Sequence, residues 1–188
     1  MRFVLLFFTV LFGFALSGHA DDAGQVGPVT GSEIASFSAV SQTGAGVGLE
    51  DITGEKGVVL VFYRSADWCP FCKKQLINLN AIDEQTAEAG WPLVGMSYDS
   101  PEILTEFATR QDLSFPLLSD TESAMITAFG LLNEQYQPGS RAYGIPHPAI
   151  VFVSKDGVVQ SVLREEGYRT RPEQDLILET ISTLNAAE

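Results

Sequence analysis

Only two cysteines occur in the 188 residues, and both lie in the stretch Trp68-Cys69-Pro70-Phe71-Cys72-Lys73. A thiol is a weak nucleophile and a thiolate a strong one, so what matters is the local field around each sulfur. The stretch follows an apolar run, Val58 to Tyr63, and precedes a segment of helical pattern. A strand running into a helix places Cys69 at the helix N-terminus, where unpaired N–H groups and the macrodipole favour an anion. Cys72 follows about 60° further round the helix, from about 100° per residue. The two sulfurs can therefore meet without unwinding the helix. Cys69 is expected at the exposed tip as the attacking thiol, and Cys72 further in as the thiol that resolves the adduct to a disulfide. Two other readings compete. A structural staple would be poor, because so short a loop removes little unfolded-chain entropy. A metal site needs more ligands, and the only histidines are His19 and His147.

The elements that must position this pair follow from the pattern around it. Val58 to Tyr63 is a continuous run rich in β-branched and aromatic residues, as expected for a central strand covered on both faces. The helix is expected from about Cys69 to Ala89, with Pro70 in its first turn, Leu76, Leu79 and Ile82 on one side, and Gly90 as its stop. Further strands are expected at Gly31–Val40 (a short edge strand), Leu93–Ser97, Phe115–Ser119 and Ala149–Val153. Lys155-Asp156-Gly157 then turns into a return strand, Val158–Leu163. Helices are expected from Ser100-Pro101 to about Gln111, from Asp120 to Phe129, and from Pro172 to the C-terminus. Gly44-Ala45-Gly46-Val47-Gly48 lacks the spacing of a phosphate-binding loop and reads as a hairpin or loop. Alternating strands and helices, then a hairpin and a closing helix, predict an α/β fold with a mixed sheet in a single domain, residues 31–188.

Composition sets the setting. With 45% hydrophobic and 19% charged residues the chain is ordinary globular material, and a formal net charge of -13 argues against nucleic acid and anionic lipid as partners. Met1-Arg2, the apolar run Phe3–Leu16 and the small residues Gly18 and Ala20 read as a secretory signal peptide over residues 1–20. An uncleaved membrane anchor is the competing reading, although the run is short for a span of about 20 residues. Residues 21–30, rich in Gly, Pro and Asp, read as a flexible lead into the domain. Export, to a periplasm or beyond the cell, would put the cysteines in an oxidising compartment, with no stable membrane insertion once the peptide is cleaved.

These residues resemble the peroxiredoxin branch of the thioredoxin superfamily, the alkyl hydroperoxide reductase/thiol-specific antioxidant family. The resemblance covers nearly the whole chain after residue 30. It is carried by Gly31–Phe37, Val58–Tyr63, Val94–Pro101, Phe115–Asp120 with Ala128–Leu131, and Pro148–Gly157. It implies a thioredoxin-like fold, a central mixed sheet flanked by helices with a peroxiredoxin-type insertion. It also implies a hydroperoxide substrate, a thiol reductant protein and no cofactor. By the same resemblance Pro148 is the cis-proline facing the site, with Pro146 the competing choice. The chain departs from the family at three points. Ala66 or Asp67 stands where the family has Thr or Ser, Arg64 where it has proline, and His147-Pro148 where it has an arginine. Ala66-Asp67-Trp68-Cys69 and Lys73 instead resemble thioredoxins, although Tyr63 stands where thioredoxins keep a buried acid.

The supporting residues each have two readings. Trp68 shields the thiolate or docks a partner, or it is a half-buried loop aromatic. Arg64 stabilises the Cys69 thiolate or replaces the missing arginine, or it forms a surface salt bridge with Asp67. Arg141 is a second such arginine or a solvated one. His147 tunes or shuttles a proton, or is a hydrogen-bonded turn residue. Three functions fit: peroxide reduction through Cys69 and Cys72, dithiol–disulfide exchange on protein partners, and a binding module without turnover.

Overall fold

The computed structural model describes residues 26–34, 36–165, 167 and 169–187. The expected signal peptide, 1–20, and residues 21–25 lie outside the described residues. The described remainder of the leading segment lies against the fold: Gly27 N–H donates to Gly130 O at 3.0 Å and Gly31 N–H to Val159 O at 2.7 Å. No helix among the described residues is long and apolar enough to cross a membrane.

The sheet is built on β3 (Gly57–Phe62), every residue of which is buried. Successive side chains of a strand point to opposite faces, and β3 divides accordingly. Val59 and Val61 enter one core with Leu76, Leu79, Leu104, Phe107, Ile177 and Ile181. Val58, Leu60 and Phe62 enter the other with Met125, Ile126, Phe129 and Leu131. On one side β3 pairs in parallel with β4 (Leu93–Ser97), which pairs in parallel with β5 (Leu117–Ser119). On the other side β6 (Ala149–Ser154) and β7 (Val159–Leu163) are antiparallel. The hairpin β1 (Ala39–Ser41) and β2 (Gly46–Val47) closes the far edge on β5, giving the order β2-β1-β5-β4-β3-β6-β7. The helices α1 (Pro70–Leu79), α3 (Pro101–Gln111) and α5 (Gln174–Ala186) supply the first core, and the short α4 (Ala124–Ala128) supplies the second. The expected α/β fold with a mixed sheet flanked by helices is the one observed.

Several boundaries differ from the sequence expectation, each for a local reason. The edge strand expected over Gly31–Val40 shortens to Ala39–Ser41, and Glu33 makes only an isolated bridge to Val158. The long helix after the cysteines breaks at Asn80 into a tight turn, Asn80–Ile82, and a short α2 (Asp83–Glu88). There the Asn80 side chain turns away to the loop after α3. Its amide donates to Asp112 O at 3.0 Å and its oxygen accepts from Ser114 N–H at 2.7 Å. The helix expected to start at Asp120 begins at Ala124, and Asp120 lies ahead of it as a cap. Its carboxylate accepts from Ala124 N–H and Ile126 N–H at 2.9 and 2.8 Å, and Ser123, at φ 55°, starts α4 late. Ser100 occupies the N-cap position of α3 but makes no capping bond from its side chain.

The packing of β3 against β6 and Trp91 leaves no room at Gly57. A Cβ there would lie 2.2 Å from Val153 O and 2.5 Å from the Trp91 ring. The carbonyl belongs to a paired strand and cannot step aside, so Gly57→Ala is expected to destabilise the fold by about 1–3 kcal/mol. Urea midpoints measure this, and a midpoint equal to wild type would contradict the packing described.

Candidate active site

The loop from Tyr63 to Trp68 joins the C-terminal end of β3 to α1, and its course is set by a carboxylate from the neighbouring strand. Asp99, just beyond β4, is buried. Its carboxylate accepts from Ser65 Oγ at 2.8 Å, Ala66 N–H at 2.6 Å and Ser97 Oγ at 2.9 Å. Ser65 Oγ in turn accepts from Asp67 N–H at 3.0 Å and Trp68 N–H at 3.4 Å. The four residues before Cys69 are therefore tied, directly or through one hydroxyl, to a single acid. Buried carboxylates of this kind rely on full satisfaction of their oxygens.

Cys69 follows as the N-cap of α1, with extended backbone, and Pro70 takes the first helical position. Cys72 N–H donates to Cys69 Sγ at 3.2 Å and Lys73 N–H to Cys69 O at 3.0 Å. The two cysteines form a disulfide, with Cα atoms 5.2 Å apart and α1 intact from Pro70 onward. The expected meeting of the sulfurs without unwinding is the geometry observed. The expected exposure is not: Cys69 is 1% and Cys72 0% exposed. The ring of Trp68 and the segment through Arg171 cover them, and in this oxidised form both sulfurs belong to the core under α1.

Trp68 is half-buried and held edge-on. Its Nε1–H donates to Tyr98 Oη at 2.9 Å, and Tyr98 O–H donates to Arg141 O at 2.7 Å. Two guanidiniums lie over its ring, Arg64 at 4.9 Å and Arg141 at 5.7 Å from the centroid. Each is within the range of cation–π attraction. Arg64 is buried and does not form the surface pair with Asp67 expected as one of its readings; Nη2 donates to Tyr136 Oη at 3.2 Å. Asp67 pairs instead with the exposed Arg141. The polar loop before β6, which carries both Tyr136 and Arg141, is thus strapped to the cysteine loop.

His147 and Pro148 line a cavity of about 410 Å³ together with Arg64 and Tyr136. Burial holds the His147 pKa below the usual 6.5. His147 N–H donates to Leu131 O at 2.7 Å, and its ring makes no hydrogen bond to either sulfur. Pro148 is trans, as is every described peptide bond, Pro146 included. The bridge between Leu132 and Pro146 and the bond from His147 hold this arm extended, the conformation favoured before proline. The cis-proline expectation is corrected accordingly.

Besides Tyr136, the site includes Asp99 and Arg171, which the sequence does not mark. Asp99 adjoins the helix start at Ser100-Pro101 and carries no sign in the sequence that it turns inward. Arg171 lies 99 residues beyond Cys72, yet its Nη2 stands 3.6 Å from Cys72 Sγ. Its Nε–H donates to Gln75 Oε1 at 2.8 Å. Burial, then the nearby Arg64 charge, lower the Arg171 pKa to about 10. Only the periodicity of Gln75, one turn past Cys72 on a face that turns inward, hinted that something polar must meet it there.

Burial outweighs the donors around Asp99 and raises its pKa above the ordinary 3.8. From 3.8 upward the unfolded chain has released this proton while the native carboxyl still holds it. Native stability therefore falls as pH rises through that interval. Relative to Asp99→Asn, wild type is expected to lose stability between about pH 4 and 6.5, read from urea midpoints at the two pH values. A difference that stays constant, or moves in favour of wild type, would refute the assignment.

The comparisons with known proteins agree with this geometry. The AhpC/TSA family profile matches residues 30–162. Peroxiredoxin Bcp of Escherichia coli K12 is 31% identical over 152 residues, covering 80% of this chain and 94% of that protein. Among solved structures, the peroxidoxin BcpB from Mycobacterium tuberculosis superposes with a TM-score of 0.70 at 25% identity, over 87% of this chain and 99% of that one. Peroxiredoxin Q of Xanthomonas campestris gives 0.64 at 25% identity, over 80% and 90%. A sheet in the order described, a cysteine pair capping α1 and a match over most of the length converge: the chain belongs to the AhpC/TSA family and is an oxidoreductase of the peroxiredoxin type.

Proposed function

We propose that the protein reduces hydroperoxides, with Cys69 as the peroxidatic and Cys72 as the resolving cysteine. The observation that carries this reading is a disulfide closed within one turn at the N-terminus of an intact helix, in a chain of this family. The Cys69 thiolate attacks the distal oxygen of the hydroperoxide. The O–O bond breaks, the alkoxide leaves and takes a proton, and Cys69 becomes a sulfenic acid. The Cys72 thiolate attacks that sulfur, hydroxide leaves as water after protonation, and the disulfide forms. A dithiol reductant protein then returns the pair to two thiols by exchange. Stabilisation of the Cys69 thiolate is assigned to the helix N-terminus and the Cys72 N–H. Arg64, which lines the cavity of about 410 Å³ with His147 and Pro148, takes the part of the arginine that the family carries where His147-Pro148 stands here.

Trp68 beside the first cysteine favours a second reading, exchange with disulfides of protein partners. The two separate on one variant. Cys72→Ser treated with hydrogen peroxide is expected to accumulate a sulfenic acid that a dimedone probe labels. Wild type should consume peroxide in stopped flow, and Cys69→Ser should lose essentially all of that activity. A Cys72→Ser protein that ignores peroxide and instead traps protein mixed disulfides would replace the first reading with the second.

We further propose that residues 1–20 direct export and are removed, so that the enzyme works in an oxidising compartment with a dedicated reductant. The basic start, the apolar run and the small residues before Asp21 support this. Intact mass of the protein from fractionated cells is expected to correspond to a chain beginning at Asp21, outside the cytoplasm. A full-length cytoplasmic protein would rule export out.

A further inference from the structure

Cys72 is the member of the pair that lies within the helix. It is 0% exposed and sits inside the first turn of α1, packed against Leu76 and the core. Burial in apolar surroundings raises a thiol's pKa. Yet the proposed cycle needs a Cys72 thiolate twice, as the nucleophile that closes the disulfide and as the leaving group when a reductant opens it.

We propose that Arg171 is the positioning residue that makes both steps possible, by holding its guanidinium against the Cys72 sulfur; this inference rests on the peroxidase reading. The geometry is specific. Nη2 stands 3.6 Å from Cys72 Sγ, Nε–H is fixed by the buried Gln75 at 2.8 Å, and Nη1 donates to Thr170 O at 2.6 Å. Nε and Nη1 are thus engaged by Gln75 and Thr170, and Nη2 faces one sulfur of the pair. Gln75 lies three residues after Cys72 on the same helical face, so one helix presents both the sulfur and the group that orients its counter-charge. Pro172 follows directly and restrains the backbone of Arg171 to an extended course, which brings the side chain down onto α1.

The consequence is a division of labour between the sulfurs. Cys69 is served by the helix N-terminus and Cys72 by a side chain from the far end of the chain. When a thiolate of the reductant attacks Cys69 Sγ, a new S–S bond forms to the reductant. The Cys69–Cys72 bond breaks, and its electron pair leaves on Cys72, beside Arg171. A leaving thiol of lower pKa departs faster. Arg171 therefore directs a reductant to Cys69, and in the oxidative half it readies Cys72 to attack the sulfenic acid. Among the described residues, the charged groups near the pair include Arg64, whose charge is felt at Arg171, and Lys73, which donates to Asp67 O at 2.7 Å. Lys74, Arg169 and Glu173 line the same cleft as Gln75 and Arg171, Asp67 is paired with Arg141, and Asp99 accepts from Ala66 N–H. All of these are common to the variants below.

In Cys69→Ser protein Cys72 is the sole thiol, and its ionisation can be followed by ultraviolet thiolate absorbance or by the pH dependence of alkylation. Adding Arg171→Met is expected to raise the Cys72 midpoint by about 1–3 pH units, the range for loss of an adjacent opposite charge. Arg171→Gln, which keeps a donor but no charge, should behave as Met does, and Arg171→Lys should restore part of the shift. With both cysteines present, Arg171→Met should move the dithiol–disulfide equilibrium in a glutathione buffer about tenfold toward disulfide, or about 30 mV. A Cys72 midpoint unchanged in the Gln or Met variant overturns the inference, as does a shift in Met that Gln abolishes. These readings use no peroxide. A protein that shows the shift but consumes no peroxide loses only the peroxidase reading, and a peroxidase without the shift loses only this one.

Discussion

One buried carboxylate organises the approach to the sulfurs. Asp99 collects the Ser65 hydroxyl, the Ala66 N–H and the Ser97 hydroxyl, and through Ser65 it also holds the N–H groups of Asp67 and Trp68. A loop leaving the end of a central strand has several unpaired backbone donors, and burying them without partners costs about 1–3 kcal/mol each. Here they converge on one acid from the adjacent parallel strand, so the loop has a single low-energy course. Cys69 then arrives as the N-cap of α1 rather than at some other point of the turn. Ala66 or Asp67 stands where the family carries Thr or Ser, and Ser65 and Asp99 order the loop instead.

Around that loop the protein gathers positive charge, against its formal net charge of -13. Arg64 and Arg141 lie over Trp68, and Arg171 meets the Cys72 sulfur. Each comes from a different part of the chain: the loop after β3, the loop before β6, and the segment before α5. Guanidiniums tolerate partial burial better than ammonium groups because they are weakly hydrated and offer donors in a plane. Arg171 still registers the cost, with its pKa brought down to about 10 by burial and by Arg64. An anion appearing among these groups, such as a thiolate, relieves their mutual repulsion.

The scaffold serves this arrangement through two cores that share one strand. Because β3 is covered on both faces, the loop at its end is anchored from both sides. Trp91 ties the far end of the same layer together, donating to Asn185 Oδ1 at 2.9 Å and meeting Phe152 edge-on. The helix α5 thereby closes the sheet face under α1, and the segment leading into it carries Arg171 to the cysteine pair.

The sequence by itself determined the central strand, the position of the cysteine pair at the start of α1, the β6–β7 hairpin and the α/β class. These depend on local pattern: an unbroken apolar run rich in valine, Pro at the first helical position, a Lys-Asp-Gly turn. The same locality explains where it fell short. Asn80 has the helical spacing to continue α1, but a loop 32 residues on draws its side chain away. Asp120 has the pattern of a helix start, but with Ser123 at φ 55° the helix begins at Ala124, and the Asp120 carboxylate caps it from outside. At the site, Cys69, Cys72, Trp68 and Arg64 were legible because they are neighbours in sequence. Asp99, Tyr136 and Arg171 were not, since each acts across 33 to 99 residues of chain and nothing in its own neighbourhood marks it. The tertiary structure also decided that both sulfurs are buried and that Pro148 is trans. Burial and the conformation of an extended arm depend on what packs against a residue, which no local spacing encodes.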